Sequence, residues 1–243
     1  SLNRRVREDP GRVVALSEEN YRYGVAQIAE TLKRGAGKYS VVLLAGPSAS
    51  GKTTTACKLR EQLQGLGVGA HVVSLDNFYK NHDFYPKRED GTTDYESVYA
   101  LDIDCLHECF HELIEKREAD FPVFDFETVS RMKERHHIAL RENDILIVEG
   151  IHALNPILMP HGDADNFYRI YASVHTDYAL DGEGLLSKQD IRLMRRLVRD
   201  LKFRASPVQV TFDMWDQVCE GERKYIKPYQ GLADAQIDTL HLY

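Results

Sequence analysis

Among its 243 residues the chain has no long apolar run, no surplus of basic charge, and too little cysteine for a framework of bridges. Apolar stretches such as Val41 to Ala45 and Ile145 to Val148 fall far short of the ~20 consecutive apolar residues that a membrane-spanning helix requires. The basic, polar opening RRVREDPGR lacks the apolar centre of a secretory signal, and a cytoplasmic protein is expected. A formal net charge of −7 removes the broad positive field that nucleic acid or an acidic membrane surface would demand, so a polyanion must be met locally. Cys57, Cys105, Cys109 and Cys219 show no CxxC spacing, which argues against a disulfide framework and a zinc ribbon. Internal repeats and low-complexity tracts are absent as well.

What is present alternates. A chain with 43% hydrophobic and 28% charged residues can bury a full core, and strands separated by helical segments indicate an α/β fold with a mostly parallel central sheet flanked by helices. The division read from the sequence is an N-terminal helical extension over 1–36 and one domain over 37–243. SEENYRYGVAQIAETLKRG opens with Ser17 as a cap and carries Val25, Ile28, Ala29 and Leu32 at helical spacing. Strands are expected at Val41 to Ala45, Val72 to Leu75, Ile145 to Val148, Phe167 to Val174 and Ile237 to Tyr243. The polar stretch Lys80 to Asp94 reads as the longest loop. CLHECFHEL sets Cys105 with Cys109 and His107 with His111 one helical turn apart, but Leu106, Phe110, Leu113 and Ile114 give it the pattern of a packing helix. The chain begins without Met, and a longer native protein is expected.

In sheets of this kind ligands sit beyond the carboxyl ends of the strands, where loops and helix N-termini meet. Three strand ends carry chemistry. AGPSASGKTTT lies between Val41 to Leu44 and a helical stretch with Ala56, Leu59 and Leu63, and fits GxxxxGK(S/T) from Gly46 to Thr53. In such a loop the backbone around Gly46, Ser48, Ala49, Ser50, Gly51 and Thr54 wraps phosphates, Lys52 reaches the outer ones, and the Thr53 hydroxyl serves Mg²⁺. The second strand end is Asp76 in HVVSLDNFYKN. A carboxylate there can take the proton of an alcohol held in line with a γ-phosphate, and it lies close to the metal; alone it would read as a turn or cap aspartate. The third is Glu149 in DILIVEGIH, positioned to orient Mg²⁺ directly or through water, the other reading being a solvated acid that opens a loop. His152 reads as a loop histidine.

In DIRLMRRLVRDLKFR, Met194, Leu197, Val198 and Leu201 form one helical stripe, and Arg192, Arg195, Arg196 and Arg199 the opposite one. Four arginines on one face repel each other. Either water solvates them, helped by Asp190 and Asp200, or they form a lid that neutralises a transferring phosphoryl group, with Arg204 just beyond. The preceding SKQD, Ser187 to Asp190, fits a capping box.

GPSASGKTT, LDNFYKN, FDFETVSR, ILIVEGIHALNP and RLMRRLVRDLKFR occur in the order seen in the uridine kinase and phosphoribulokinase family, and the chain resembles that family from about Val41 onward. The resemblance implies a P-loop NTPase fold with an arginine-bearing lid, ATP with Mg²⁺, and transfer of the γ-phosphate to a sugar hydroxyl, for a nucleoside the 5′ one. It carries Asp76 as general base, Lys52 and Thr53 of the P-loop, Glu149 as the Mg²⁺ acid, and Arg196, Arg199 and Arg204 as the lid. The acceptor, a small nucleoside-like molecule, is expected to meet Tyr79, Tyr99, Phe124, Phe126, Arg131 and Arg196. The chain departs from the family pattern at three positions. Tyr99 in DYESVYALD aligns with an acid that contacts ribose, Val129 stands where a histidine contacts the pyrimidine, and Ser206 replaces an arginine of the acceptor site. A uridine- or cytidine-type acceptor is the expectation, with ribulose phosphate, pantothenate or glycerate as alternatives, and a regulatory ATP-binding module as a further one. Relatives of this type often carry an N-terminal module like one of threonyl-tRNA synthetase, and a homo-oligomer is compatible with the sequence.

Overall fold

Strands that are apolar at every position need cover on both faces, and the fold supplies it. The computed structural model describes residues 2–125, 128–158, 166–180, 183–204 and 206–241. Two helices, α1 (Leu2–Glu8) and α2 (Pro10–Arg34), lead into β1 (Val41–Ala45), α3 (Lys52–Gly65) and β2 (Ala70–Ser74). Then come α4 (Ile103–Lys116), the antiparallel hairpin of β3 (Glu118–Asp125) and β4 (Ser130–Ala139), β5 (Ile145–Glu149) and β6 (Phe167–Ser173). A short hairpin of β7 (Tyr178–Leu180) and β8 (Glu183–Leu186), helices α5 (Lys188–Phe203) and α6 (Val208–Gly221), and β9 (Ala235–Asp238) complete the order. β2, β5, β1, β6 and β9 lie side by side in that sequence, each neighbouring pair parallel. Among the described residues no helix is long and apolar enough to cross a membrane.

Side chains alternate across the sheet and divide the core into two layers. Val41, Leu43, Leu146 and Val148 face Leu106 and Phe110 of α4 and Phe121 and Ile138 of the β3–β4 hairpin. Val42, Leu44, Ile145 and Ile147 face Val25, Ile28 and Leu32 of α2 and Leu59 and Leu63 of α3. The segment read as an N-terminal extension is thus helical, and α2 fills the same apolar layer as the P-loop helix.

Several boundaries differ from the sequence reading. α2 starts at Pro10, seven residues before Ser17: the proline occupies its first turn, and the Asp9 carboxylate accepts the Arg12 N–H at 2.9 Å. Ser17 is buried within the helix, on the same stripe as Val13 and Tyr21. β2 runs from Ala70 to Ser74, so Leu75 and Asp76 belong to a 3₁₀ turn instead of the strand. β9 stops at Asp238, whose Oδ1 accepts the N–H groups of His175 and Leu240 and turns the chain away. The polar stretch after Lys80 contains a 3₁₀ turn, His82–Phe84, and a bridge between Lys87 and Thr93. The β3–β4 hairpin has no counterpart in the sequence reading, because β4 exposes nearly all its side chains and carries no apolar alternation. α4 packs as expected, burying Cys105, Leu106, Cys109, Phe110 and Leu113.

If α2 is a wall of the core, Leu32→Ala should lower the unfolding free energy by about 2–5 kcal/mol in one cooperative denaturant transition. A change below about 1 kcal/mol, or a separate early transition, would show that α2 is dispensable to the sheet.

Candidate active site

Strand register levels the ends from which the site is built. Ser74 of β2 and Leu44 of β1 both pair with Glu149 of β5, so the chain leaves all three strands at one height. At Gly46 a Cβ would lie 2.0 Å from the Ala172 carbonyl oxygen of β6, so this exit is closed to any other residue. Ala49 (φ 58°) and Gly51 (φ 86°) then take left-handed conformations, of the kind from which backbone anion-binding nests are built. Gly51 precedes α3, and no side chain caps that helix, which leaves its first N–H groups available to an anion. The Ser50 hydroxyl is buried without a hydrogen-bond partner among the described residues. Such a cradle fits a phosphate chain.

Lys52 is buried at the base of this loop and donates to the Pro47 carbonyl at 3.0 Å. Burial pulls its pKa down to about 8, against the opposing pull of Glu149 and Asp76. Glu149 shows the converse: burial raises its carboxyl, while Lys52 and the Ser74 and Thr53 hydroxyls favour the charged form. Thr53 Oγ1 donates to Glu149 Oε1 at 3.1 Å. A hydroxyl beside a carboxylate forms an all-oxygen donor set, the kind a hard divalent cation takes.

Asp76 is the second residue of the 3₁₀ turn Leu75–Phe78, and its N–H donates to Ser74 Oγ at 3.3 Å. Asn77 Oδ1 accepts the Phe124 N–H at 3.2 Å, which ties the turn to the β3–β4 hairpin. Arg131 reinforces that tie by donating to Asp102 Oδ2 at 2.9 Å and to the Phe78 carbonyl at 3.0 Å. Its guanidinium therefore braces the turn.

Helix α5 is turned opposite to the usual amphipathic arrangement. Met194, Val198 and Leu201 are 46%, 53% and 58% exposed, whereas Arg192 and Arg196 are buried. The solvated reading of the arginine stripe fails, because each of these cations has an acid or an acceptor. The Asp200 carboxylate gathers two of them: Oδ2 accepts from Arg196 Nε at 3.2 Å, and Oδ1 from Arg199 Nη2 at 2.7 Å. Burial raises the Asp200 carboxyl, yet Arg199, Arg196 and Arg204 outweigh it and hold the group below the usual carboxylate range. Arg196 Nη1 donates to Ser48 Oγ of the phosphate loop at 2.9 Å. Arg204 Nη2 stands 3.8 Å from Asp76 Oδ2. Arg192 points elsewhere, into a buried pair with Glu222 at 2.6 Å, and Arg195 donates to the Thr239 carbonyl at 2.9 Å. The turn of α5 is fixed at its start by the capping box of Ser187 and Asp190.

Two cavities border the phosphate loop. One, about 320 Å³, is lined by Tyr21, Ala49, Gly51, Lys52, Thr53, Thr54, Arg195, Arg199, Thr239 and His241. The other, about 310 Å³, holds Asp76, Glu149, Arg196 and Arg204 beneath walls of Tyr79, Tyr85, Tyr95 and Phe124. Lys52, Thr53 and Arg199 line both, so the cavities meet at these three residues.

Of the predicted acceptor contacts, Tyr79, Phe124 and Arg196 line the Asp76 cavity, Arg131 braces its turn, and Phe126 lies outside the described residues. Tyr99 is corrected: it is 55% exposed and lines a different cavity, with Arg88 and Tyr225. The acid in that stretch that reaches the Asp76 cavity is Glu96. Gly221 lets α6 approach it, since a Cβ there would lie 2.3 Å from Glu96 Cβ. Burial pushes Glu96 up to about 7, against the opposing pull of Arg196. The sequence signal was the same short acidic segment, read three residues too late. His152 lies in a turn after β5, as read from the sequence, but it is buried there, its ring edge-on to Tyr225 at 6.0 Å, and burial lowers it to about 4. Val129 lines the Asp76 cavity with φ 51°, an unfavourable conformation for a β-branched residue.

The Phosphoribulokinase / Uridine kinase family model matches residues 41–158. The uridine kinase of Anoxybacillus flavithermus (strain DSM 21510 / WK1) is 30% identical over 195 residues, covering 80% of this chain and 83% of that protein. A solved structure described as a possible uridine kinase from Bacillus stearothermophilus superimposes with a TM-score of 0.61 at 17% identity, over 89% of this chain and 98% of the other. The D-glycerate 3-kinase of Cryptococcus neoformans var. grubii shares the fold at a TM-score of 0.57 and 15% identity, over 82% and 87% of the two chains. With a phosphate loop, two cavities joined at its lysine, and relatives of this kind over four-fifths of its length, the chain belongs to the phosphoribulokinase / uridine kinase family and is an ATP-dependent phosphotransferase that acts on a small molecule.

Proposed function

We propose that the chain transfers the γ-phosphate of ATP to a hydroxyl of a nucleoside-like acceptor of the uridine or cytidine type. The observation that carries this reading is the junction of the two cavities at Lys52, Thr53 and Arg199. A triphosphate laid along the phosphate loop from the Tyr21 side would end its chain at that junction. An acceptor in the Asp76 cavity would approach the terminal phosphorus from the other side, as in-line displacement requires.

Asp76 then acts as general base, taking the hydroxyl proton as the new P–O bond forms. Arg204, whose Nη2 stands 3.8 Å from Asp76 Oδ2, sets a counter-charge beside that carboxylate. Lys52, Arg196 and Arg199 stabilise the charge on the phosphoryl oxygens, and Asp200 holds the two arginines in position beforehand, so little reorganisation is left for the reaction itself. Thr53 and Glu149, with Asp76 nearby, would hold Mg²⁺, which supplies charge neutralisation between the outer phosphates. The full set of Asp76, Glu149 and the arginines is more than a nucleotide sensor needs, which favours an enzyme over a binding module.

The walls of the acceptor cavity support the class of molecule. Tyr79, Tyr85, Tyr95 and Phe124 provide flat apolar surface for a heterocycle, and Glu96 offers a carboxyl to sugar hydroxyls. At about neutral pH this carboxyl sits near its midpoint and can donate or accept. Val129 contributes no polar contact to the base, so discrimination among bases is expected to be weak, because polar readout separates substrates far more strongly than apolar fit.

Asp76→Asn should lower kcat about 10²- to 10⁴-fold while the affinity for MgATP stays close to wild type, measured by ADP release with uridine, cytidine, D-glycerate, pantothenate and ribulose 5-phosphate as acceptors. Undiminished turnover in this variant would refute the base assignment, and turnover restricted to a non-nucleoside would refute the acceptor class.

Glu96 yields a second expectation. Its pKa rises on folding from 4.5 to about 7, so its contribution to stability is complete at low pH and is lost as pH climbs through that window. Denaturation should therefore show Glu96→Gln gaining about 2–3 kcal/mol over wild type between pH 4.5 and pH 8. A difference that stays flat across this range would contradict the burial of this carboxyl.

A further inference from the structure

The Tyr21 cavity contains side chains that a phosphate chain alone does not call for. Tyr21 lies on α2, ahead of residue 41 where the family match begins. Its ring is buried, and its hydroxyl is 2.7 Å from Thr55 Oγ1, which in turn donates to the Gly51 carbonyl at 2.9 Å. The N-terminal helix is thereby joined through two hydrogen bonds to the residue that opens the P-loop helix. Beside the ring stands His241, edge-on, with centroids 5.4 Å apart and planes at 72°. Thr239, just after β9, is 3% exposed, and its Oγ1 has no hydrogen-bond partner among the described residues. All three side chains line the cavity that also holds Ala49, Gly51 and Lys52.

The cavity thus has two chemically distinct ends. One, at the phosphate loop, offers backbone N–H groups and cations. The other offers two aromatic rings and one buried hydroxyl that lacks a partner, which suits a flat heterocycle with a hydrogen-bonding edge. A purely structural Tyr21 would need the bond to Thr55, but it would not need to share a cavity wall with Thr239 and His241.

We propose that Tyr21 of α2, together with Thr239 and His241, seats the base of the donor nucleoside triphosphate, so that the N-terminal helix is a working part of the donor site. The proposal rests on the reading of Gly46 to Thr53 as the triphosphate cradle. Under it, the base packs against Tyr21 and His241, its edge reaches the Thr239 hydroxyl, and the link through Thr55 to Gly51 makes the seat and the cradle one unit. Affinity then has a base-dependent share that inorganic tripolyphosphate, bound by the cradle alone, lacks.

Calorimetric titration of wild type, Tyr21→Leu and His241→Ala with ATP and with inorganic tripolyphosphate, each in the presence of Mg²⁺, separates the two ends. Loss of an aromatic partner should weaken ATP about 5- to 100-fold, leaving tripolyphosphate within about twofold of wild type. Tyr21→Phe keeps the ring, loses the bond to Thr55, and should retain the wild-type preference for ATP over tripolyphosphate. Equal weakening of both ligands, or no weakening of ATP, would overturn the seat. Should Tyr21→Leu fail to fold, the partly exposed His241 decides: an unchanged ratio of the two affinities in His241→Ala overturns the proposal. Wild-type protein that binds no tripolyphosphate would overturn the cradle reading itself, and the seat with it.

Discussion

An ammonium group buried where three strand ends meet is the constraint around which the site is arranged. Lys52 has lost most of its water, and only the nearby charges of Glu149 and Asp76 favour its proton. Glu149 pays the same penalty in reverse, since it is buried and its carboxyl is raised. Neither sign is tolerable alone, because removing one partner of a buried pair costs about 3–5 kcal/mol. The register of β1, β5 and β2 brings them together, setting Ser74 and Leu44 level with Glu149 so that acids and lysine emerge at one height. A second node balances the first. Asp200 gathers Arg196 and Arg199, and Arg196 reaches back to Ser48 in the phosphate loop. The space between the two nodes is where the cavities join.

This arrangement explains how a chain of net charge −7 can serve a polyanion. The positive field is confined to the loop, one lysine and a few arginines, each pinned by a specific acceptor instead of spread over a surface. It also accounts for the unusual turn of α5. Directing Arg192 and Arg196 inward leaves Met194, Val198 and Leu201 toward solvent. A helix placed by apolar burial alone would have rolled the other way. The buried pair of Arg192 with Glu222, the bond from Arg195 to the Thr239 carbonyl and the Asp200 clamp hold it in the observed orientation.

The parts legible in the sequence are those written in local spacing. GPSASGKTT fixes a phosphate loop because glycine, lysine and threonine must stand at set intervals, and the flanking apolar runs fix a strand before it and a helix after. Asp76 and Glu149 followed from their positions behind such runs. What escaped depended on three-dimensional neighbours. In DYESVYALD no periodicity says which side chain of a turn faces inward, and the close approach of Gly221 decides in favour of Glu96 over Tyr99. Ser17 resembles a cap until the stronger pairing of Asp9 with Pro10 is seen to start the helix earlier. Arg131 reads as a substrate contact, but Asp102 and the Phe78 carbonyl claim it for the turn that carries Asp76. Tyr21 gave no local signal at all, because its partners come from α3 and from the far end of the chain.

The central claim is that Asp76 faces an acceptor hydroxyl across the junction from the terminal phosphate. A crystal structure of the chain with a non-hydrolysable ATP analogue, Mg²⁺ and a nucleoside tests it most directly. The account predicts an Asp76 carboxylate oxygen about 2.6–3.2 Å from a sugar hydroxyl that points at the γ-phosphorus. A nucleoside seated with its hydroxyls away from Asp76, or a different side chain at that distance, would contradict it.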